Sequence, residues 1–105
     1  HGTSTPAGDP VEIAAIRALA GDEAARGIAV SSTKSMHGHG MGAAGGFEAV
    51  LTALAIREGA IPPTINVEEL DPACAGVDHV LGEARRVPVR VALSNSFGFG
   101  GHNAV

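Results

Sequence analysis

The sequence predicts an α/β protein whose elements pack in layers. Two segments have helical spacing, one that begins at Pro10 and one from Gly42 to Ile56, and two apolar segments at residues 28–31 and 87–94 are typical of strands. The second helix is apolar nearly all round, which is typical of a helix enclosed between other layers. We therefore expect a layered α/β fold in which this helix is buried.

The composition excludes several classes of function. The chain has 105 residues and a formal net charge of −4, which favours one domain with a thin core, and its basic residues form no stripe that would bind nucleic acid. Its apolar stretches are interrupted by Glu48 and Arg57 and fall short of the roughly 20 residues of a membrane span. No secretory leader is visible, and a single cysteine, Cys74, fits a reducing compartment. We expect a cytoplasmic protein that binds neither nucleic acid nor membrane.

The first helix is predicted from its start and stop signals. Asp9 offers an N-cap acceptor, Pro10 is a favoured first helical residue, and Glu12 stands where a capping box has its acid. Gly21 is a plausible stop. The apolar run at residues 28–31 follows as a short buried strand and leads into a polar loop, where catalytic residues tend to lie.

The second helix carries Phe47, Val50, Leu51 and Leu54 at helical spacing, with Ala or Gly at most other positions. The rest of the chain is too small to cover all its faces, which indicates that another part of the fold is missing.

The remaining segments are predicted from their turn residues and apolar runs. We expect an extended stretch at residues 61–66, a surface loop at 71–76, a strand at 87–94 and a glycine-rich turn at 95–103. Residues 1–105 are expected to form one domain segment that is cut through ordered structure at both ends.

Two hypotheses about a site are weak. The string from Gly40 to Gly45 matches the dinucleotide-binding fingerprint, but that fingerprint follows its strand directly, whereas here a long loop intervenes. A metal site built on His37 and His39, with His1 and His102, lacks a carboxylate or cysteine at a familiar ligand spacing. We predict no bound metal. His79 is interpreted as an ordinary side chain, and Cys74 is a poor nucleophile because no cationic neighbour in sequence would lower its pKa.

Four motifs occur in order along the chain: HGTSTPAGD from His1, KSMHGH from Lys34, GAAG from Gly42 and NSFGFGGHN from Asn95. IPPTIN at residues 61–66 lies between the last two. Together they resemble the β-ketoacyl-[acyl carrier protein] synthases of the thiolase superfamily, especially the elongating enzymes of bacterial fatty-acid synthesis. The resemblance covers nearly the whole chain.

The resemblance implies a fold and partners. It implies the C-terminal half of a thiolase-like layered fold, with a mixed sheet flanked by helices. The nucleophilic cysteine of the family belongs to the N-terminal half, so residues 1–105 would be inactive alone. The expected partners are that N-terminal half, a second copy in a homodimer, and acyl carrier protein. No cofactor is expected beyond the phosphopantetheine arm of the carrier.

The resemblance also implies site residues. His1 and His39 correspond to the histidines that assist decarboxylation of malonyl-carrier protein, and two imidazole N–H donors would stabilise the resulting enolate. Lys34 corresponds to the active-site lysine and Glu48 to its partner; our hypothesis is that Lys34 keeps the histidines neutral. Thr3 and Thr5 correspond to residues that bind the phosphopantetheine arm. An aromatic gate over the acyl pocket corresponds to Phe99, flanked by Gly98 and Gly100.

The expected reaction is a decarboxylative condensation of malonyl-carrier protein with an acyl thioester in fatty-acid elongation. A polyketide ketosynthase shares these motifs, and a non-catalytic chain-length or carrier-binding subunit has the same fold. His37 stands where the elongating bacterial enzymes usually have Thr, a departure from the motif of that subtype.

Overall fold

The first helix, α1, begins at Gly8 rather than at Pro10. Its N-cap, Ala7, has no side-chain hydrogen bond, and the Thr5 hydroxyl accepts instead from the Gly8 N–H at 3.1 Å. The predicted capping box is therefore wrong, because the Glu12 carboxylate binds the α-amino group of His1 and the Gly2 N–H instead of the start of the helix. The predicted stop is confirmed: α1 ends at Ala20, and Gly21 follows with a φ of 83°.

The computed structural model describes all residues, 1–105, and contains short helices and strands. After α1 (Gly8–Ala20), the elements in chain order are α2 (Asp22–Ala25), β1 (Ala29–Val30), α3 (Lys34–His37), α4 (Ala44–Glu58), β2 (Ala60–Ile61), β3 (Asp78–His79), β4 (Arg85–Arg86), β5 (Ser96–Gly98) and β6 (His102–Ala104). Two 3₁₀ turns lie at Met41–Ala43 and Pro72–Cys74. The chain is thus a mixed α/β structure.

A small parallel sheet forms the centre of the chain. Strand β1 pairs in parallel with β3, and a parallel bridge joins Thr64 to Leu81 just beyond β3. Val80, between these pairings, is only 2% exposed; its N–H donates to the Val30 carbonyl at 3.0 Å and its carbonyl accepts from the Thr64 N–H at 2.8 Å. Because neighbouring parallel strands run in one direction, the loop that follows β1 and the segment around Thr64 lie at the same end of the sheet.

Two antiparallel pairs complete the strands. Strand β2 pairs with β4, and β5 pairs with β6 in a hairpin. The predicted glycine-rich turn is confirmed at this hairpin, because Gly100 and Gly101 both have a φ of 84°, a conformation that other residues rarely adopt.

The prediction of a strand at residues 87–94 is wrong. The strand pairing in this region involves Arg85 and Arg86, and residues 87–95 have no regular secondary structure. Val91 and Leu93 are 81% and 69% exposed. The alternating apolar pattern thus has no neighbouring strand in the chain to pair with.

The region of residues 71–79 also differs from the prediction. The expected surface loop contains a 3₁₀ turn in which the Asp71 carboxylate accepts from the Ala73 N–H at 2.8 Å, and Cys74 in this turn is buried. Strand β3 follows and was not predicted, because Asp78 and His79 are polar and give no apolar strand signal.

Helix α4 is only partly covered within this chain, which agrees with the prediction that the rest of the chain is too small to cover all its faces. It begins at Ala44, is preceded by the 3₁₀ turn, and ends at Glu58 before Gly59, which has a left-handed φ of 59°. Ala44 is buried, but Phe47 and Val50 are 53% and 61% exposed. The apolar circumference was read correctly from the sequence, but no element of residues 1–105 covers it.

The hydrophobic core is thin, as expected. Ile13, Ala25, Ala44, Cys74 and Val80 are its buried apolar members. None of the helices combines the length and the apolar character that crossing a bilayer requires.

Candidate active site

The imidazoles of His1 and His39 come together although they lie in separate segments. Their ring centroids are 5.1 Å apart, and the rings meet edge to face with an angle of 80° between their planes. The sheet explains this, because His39 follows the loop that leaves β1 and His1 is bonded to that same loop. The two histidines can therefore act on one small group.

The hydrogen bond from Met41 determines which ring nitrogen of His39 carries the proton. The Met41 N–H donates to His39 Nδ1 at 3.1 Å, so Nδ1 is an acceptor and the neutral ring carries its proton on Nε2. Met41 has a φ of 50°, which is uncommon for a residue other than glycine. The backbone after His39 thus holds this imidazole with an Nε2–H donor available for a ligand.

The His1 ring is half-buried and has an unused hydrogen-bonding atom. Its Nδ1 is buried without a partner, and the Phe97 ring lies 6.2 Å away between centroids. A buried polar atom without a hydrogen bond is uncommon and costs free energy. The His1 imidazole therefore retains an unsatisfied nitrogen beside His39.

Three side chains hold all four backbone polar groups of His1 and Gly2. The Glu12 carboxylate accepts from the His1 and Gly2 nitrogens, each at 2.6 Å. Lys34 Nζ donates to the His1 carbonyl at 2.6 Å, and Ser32 Oγ donates to the Gly2 carbonyl at 2.7 Å. The backbone that carries the His1 imidazole is thus fixed on both sides. Sequence reasoning missed Glu12 and Ser32 in this role, because one resembles a capping residue and the other an ordinary loop serine.

Lys34 and Glu48 form an ion pair that contacts the backbone of His1. Lys34 is 8% exposed, and its ammonium group binds both the Glu48 carboxylate and the His1 carbonyl. This explains the glutamate in an otherwise apolar helix, because a buried charge needs a partner. The contact of Lys34 with the segment of His1 is made through the backbone; its effect on the charge of the imidazoles stays a prediction.

Thr3 and Thr5 lie beside this site on the segment that follows His1. Their hydroxyl oxygens are 3.5 Å apart, and the Thr5 hydroxyl also begins α1 by accepting from Gly8. Thr3 is half-buried and Thr5 is exposed. The two hydroxyls are thus close to one another, and their binding of a phosphopantetheine arm stays a prediction.

Phe99 is not part of the histidine cluster. It is fully exposed at the tip of the β5–β6 hairpin, between Gly98 and Gly100. The aromatic ring that lies beside His1 is Phe97, in β5, which is half-buried. The motif therefore places one phenylalanine at the site and the other on a glycine-flanked turn.

The other histidines do not join the cluster. His37 is exposed, with Nδ1 2.8 Å from the Gly38 carbonyl and Nε2 3.0 Å from the Thr33 hydroxyl. His79 Nε2 lies 2.7 Å from the Cys74 carbonyl, and His102 is on the exposed strand β6. No three His, Cys, Asp or Glu side chains come together in a way that could hold a metal ion.

Cys74 does not have the surroundings of a nucleophile. Burial raises the pKa of its thiol, and the charges of Asp71 and Asp9 raise this pKa further. The thiolate is the reactive form, so a raised pKa makes the side chain less reactive. It is also part of the core rather than of the histidine cluster.

Comparison with known proteins relates the chain to one family. The family model described as "Beta-ketoacyl synthase, C-terminal domain" matches residues 1–68. The chain is 59% identical over 103 residues to 3-oxoacyl-[acyl-carrier-protein] synthase 2 of Synechocystis sp., which covers 98% of this chain and 24% of that protein. The proteins of the same name from Coxiella burnetii and Staphylococcus aureus are 55% identical over 103 residues and 53% identical over 105 residues.

These matches cover 98% and 100% of this chain, and 24% and 26% of those two relatives, respectively. The chain therefore spans about a quarter of the length of the curated relatives it matches. With most of its residues inside the family model, and with the resemblance of its motifs confirmed, this chain belongs to the β-ketoacyl synthase family, in the part that corresponds to the C-terminal domain.

Proposed function

We propose that this chain supplies the decarboxylating part of the active site of a 3-oxoacyl-[acyl carrier protein] synthase, an acyltransferase of fatty-acid elongation. The observation that carries the proposal is the approach of the His1 and His39 rings to 5.1 Å, with an Nε2–H of His39 directed by the Met41 backbone. The names of the relatives, which specify a 3-oxoacyl product on an acyl carrier protein, support it.

The two imidazoles act on a malonyl thioester. Breaking the bond between the carboxylate and Cα releases CO₂, and the electron pair of that bond forms an enolate with the thioester carbonyl. The oxygen of this enolate accepts from the His39 Nε2–H and from the His1 ring. Each donor that is oriented in advance contributes about 3 kcal/mol to the lowering of such a barrier.

The carbon–carbon bond forms in the next step. The Cα carbanion attacks the carbonyl carbon of an acyl group held as a thioester on the cysteine nucleophile, and the cysteine leaves as a thiolate. The product is a β-ketoacyl thioester, two carbons longer than the acyl group. The cysteine belongs, in this proposal, to an N-terminal half that completes a thiolase-like layered fold and its homodimer.

Other residues have supporting roles in this proposal. Lys34, bound to Glu48, donates to the His1 carbonyl and so holds the backbone that carries this imidazole. Thr3 and Thr5 bind the phosphopantetheine arm of the carrier, and Phe99 on its glycine-flanked turn contacts the acyl chain. No resident cofactor takes part.

The test uses a full-length synthase that contains this segment. It is incubated with malonyl-carrier protein and a fatty acyl-carrier protein, and the products are identified by mass spectrometry. We expect a β-ketoacyl-carrier protein two carbons longer than the substrate, and CO₂ in equal amount. Release of neither product would contradict the proposal.

The same assay, together with the identity of the residue at the position of the nucleophilic cysteine, distinguishes the other two functions. Extension of polyketide intermediates, but not of saturated acyl chains, would indicate a polyketide ketosynthase. Gln or Ala in place of the nucleophilic cysteine, with no condensation, would indicate a non-catalytic subunit.

A further inference from the structure

We propose that Ser32 and Thr64 are positioning residues for His1, and that they connect the buried sheet to the backbone that carries its imidazole. Ser32 lies in the loop after β1, and Thr64 lies in the extended segment that pairs beside β3. In the proposed mechanism, neither side chain donates a hydrogen bond to the substrate. This inference rests on the proposed function, because it assigns how His1 is held for that chemistry.

The hydroxyl group of Ser32 contacts the backbone of Gly2, the residue next to His1. Ser32 Oγ donates to the Gly2 carbonyl at 2.7 Å. Gly2 has a φ of 52°, and a Cβ at this position would lie 2.7 Å from Ser32 Cβ, which is closer than real Cβ atoms approach. The two residues are therefore packed without room for a side chain on Gly2, so a shift of Ser32 moves the residue next to His1.

Thr64 in turn contacts the backbone of Ser32. The Ser32 N–H donates to the Thr64 hydroxyl at 2.8 Å. The Thr64 backbone is itself fixed, because its N–H donates to the Val80 carbonyl at 2.8 Å and its carbonyl accepts from the Gly82 N–H at 2.9 Å. Since Val80 is one of the most buried side chains, Thr64 extends from the rigid centre of the chain.

These contacts form one continuous path of hydrogen bonds. It runs from the Val80 backbone through Thr64 and Ser32 to Gly2, and from there through the peptide bond to His1. The other two side chains that hold His1 and Gly2, Glu12 and Lys34, are charged, whereas Ser32 and Thr64 are neutral. Removal of either hydroxyl therefore disturbs the position of His1 without changing the charge near either imidazole.

The predicted effect is confined to decarboxylation. Ser32→Ala leaves the Gly2 carbonyl without its donor, and the altered placement of His1 should lower kcat for malonyl decarboxylation about tenfold, since small misplacements reduce rates strongly. KM for malonyl-carrier protein should stay within twofold, and the pH dependence of kcat should keep its shape. Acyl transfer to the cysteine should be unchanged, because the two histidines are not required for it in the proposed mechanism.

The experiment compares variants in a full-length synthase that contains this segment. Radiolabelled CO₂ release and acyl transfer are measured for wild type, Ser32→Ala, Thr64→Val, Thr64→Ser and the control Ser31→Ala, which removes the hydroxyl of the neighbouring residue. Val has the shape of Thr without its hydroxyl, so Thr64→Val should lose activity in the same way as Ser32→Ala. Thr64→Ser retains the hydroxyl and should stay within about twofold of wild type, as should Ser31→Ala.

His1→Ala, included in the same series, separates failure of this inference from failure of the proposed function. If wild type releases no CO₂, or if His1→Ala is as active as wild type, the proposed function is wrong and the inference falls with it. If His1→Ala is inactive while Ser32→Ala and Thr64→Val keep the wild-type rate, only the inference is overturned. Should Ser32→Ala fail to fold, the pair Thr64→Val and Thr64→Ser decides, and equal rates for that pair, or unfolding of Thr64→Val as well, would overturn it.

Discussion

Lys34 and Glu48 form a buried ion pair that supports the position of His1. Both side chains are largely buried, and the lysine ammonium bonds to the glutamate and to the His1 carbonyl. Desolvating two charges is costly, and their mutual attraction offsets this cost only while both are present. The pair therefore helps to place His1 through its carbonyl, and the loss of either partner leaves a buried charge uncompensated.

The stability losses from removing the two partners of this pair should not add. In a full-length synthase that contains this segment, Lys34→Met or Glu48→Gln alone should lower the free energy of unfolding by about 3 kcal/mol, because an unpaired buried group remains. The double variant should lose less than the sum of the single losses. Denaturant unfolding of the four proteins measures this coupling. Additive losses would contradict an ion pair that is isolated from solvent.

Phe97 and Phe99 form a matched pair with different surroundings. Phe99→Ala should change the free energy of unfolding by no more than about 0.5 kcal/mol, since the side chain is fully exposed. If Phe99 contacts the acyl chain, this variant should alter the lengths of acyl chains accepted. Phe97→Ala removes the ring beside His1 and should reduce decarboxylation. Chain-length profiles and CO₂ release check both, and an unaltered profile for Phe99→Ala would count against the gate.

Some of the residues that contact one another at the site were predicted from the sequence, and others were not. His1, His39, Lys34 and Glu48 were predicted because they lie in motifs that resemble a known family, and the structure brings these four together. Glu12 was assigned to a helix cap, because its spacing from Asp9 matches a capping box. Its bonds to His1 and Gly2 depend on a long-range fold that local spacing does not reveal.

Helix α4 has an apolar face that no other element of the chain covers. Phe47 and Val50 are three residues apart on the helix, so they share a face, and both are more than half exposed. Large exposed apolar patches on soluble proteins mark interaction surfaces or sites of association. We expect the N-terminal half to cover this face in the proposed full-length synthase.

Polar substitution on this face should have opposite effects in two contexts. In the isolated chain, Phe47→Ser with Val50→Ser should reduce self-association, measured by sedimentation. In a full-length synthase that contains this segment, the same change should lower the free energy of unfolding by several kcal/mol, about 3 or more for the phenylalanine alone. Ala49→Ser, at an exposed position on a different face of α4, is the control and should do neither. An unchanged free energy of unfolding in the full-length synthase would contradict a covered helix.

The elements themselves were predicted where local chemistry determines them. The end of α1 at Gly21 and the glycine turn of the β5–β6 hairpin follow from positive φ angles that glycine adopts readily. Strand β3 was missed and the strand at 87–94 was predicted wrongly for a common reason. A strand exists only with a neighbour, and the pairing of Asp78 with Ala29, or the lack of any partner for Val91, is a property of tertiary structure.

The whole chain has a thin core for its surface. Of its 105 residues, 7 are buried, and Leu19, Val91 and Leu93 are among the large apolar side chains that are mostly exposed. Burial of apolar surface is the main favourable contribution to folding, and a small buried fraction leaves little to offset the loss of chain entropy. The stability of residues 1–105 by themselves should therefore be low.

The isolated chain should accordingly show no cooperative thermal transition as a monomer. Its unpaired strand edges and exposed apolar side chains should cause association that increases with concentration. Calorimetry combined with sedimentation over a range of concentrations tests this. A sharp two-state transition in a purified monomer would contradict the expectation.

The most direct test of the account is the rate of CO₂ release from malonyl-carrier protein by a full-length synthase that contains this segment, compared with its His1→Ala and His39→Ala variants. Because each imidazole donates to the same developing enolate oxygen, each substitution should slow release by a factor on the order of 100 to 1,000. Transfer of an acyl group to the cysteine should continue at a rate near that of wild type. Release of CO₂ at the wild-type rate by either variant would contradict a shared role for the two histidines.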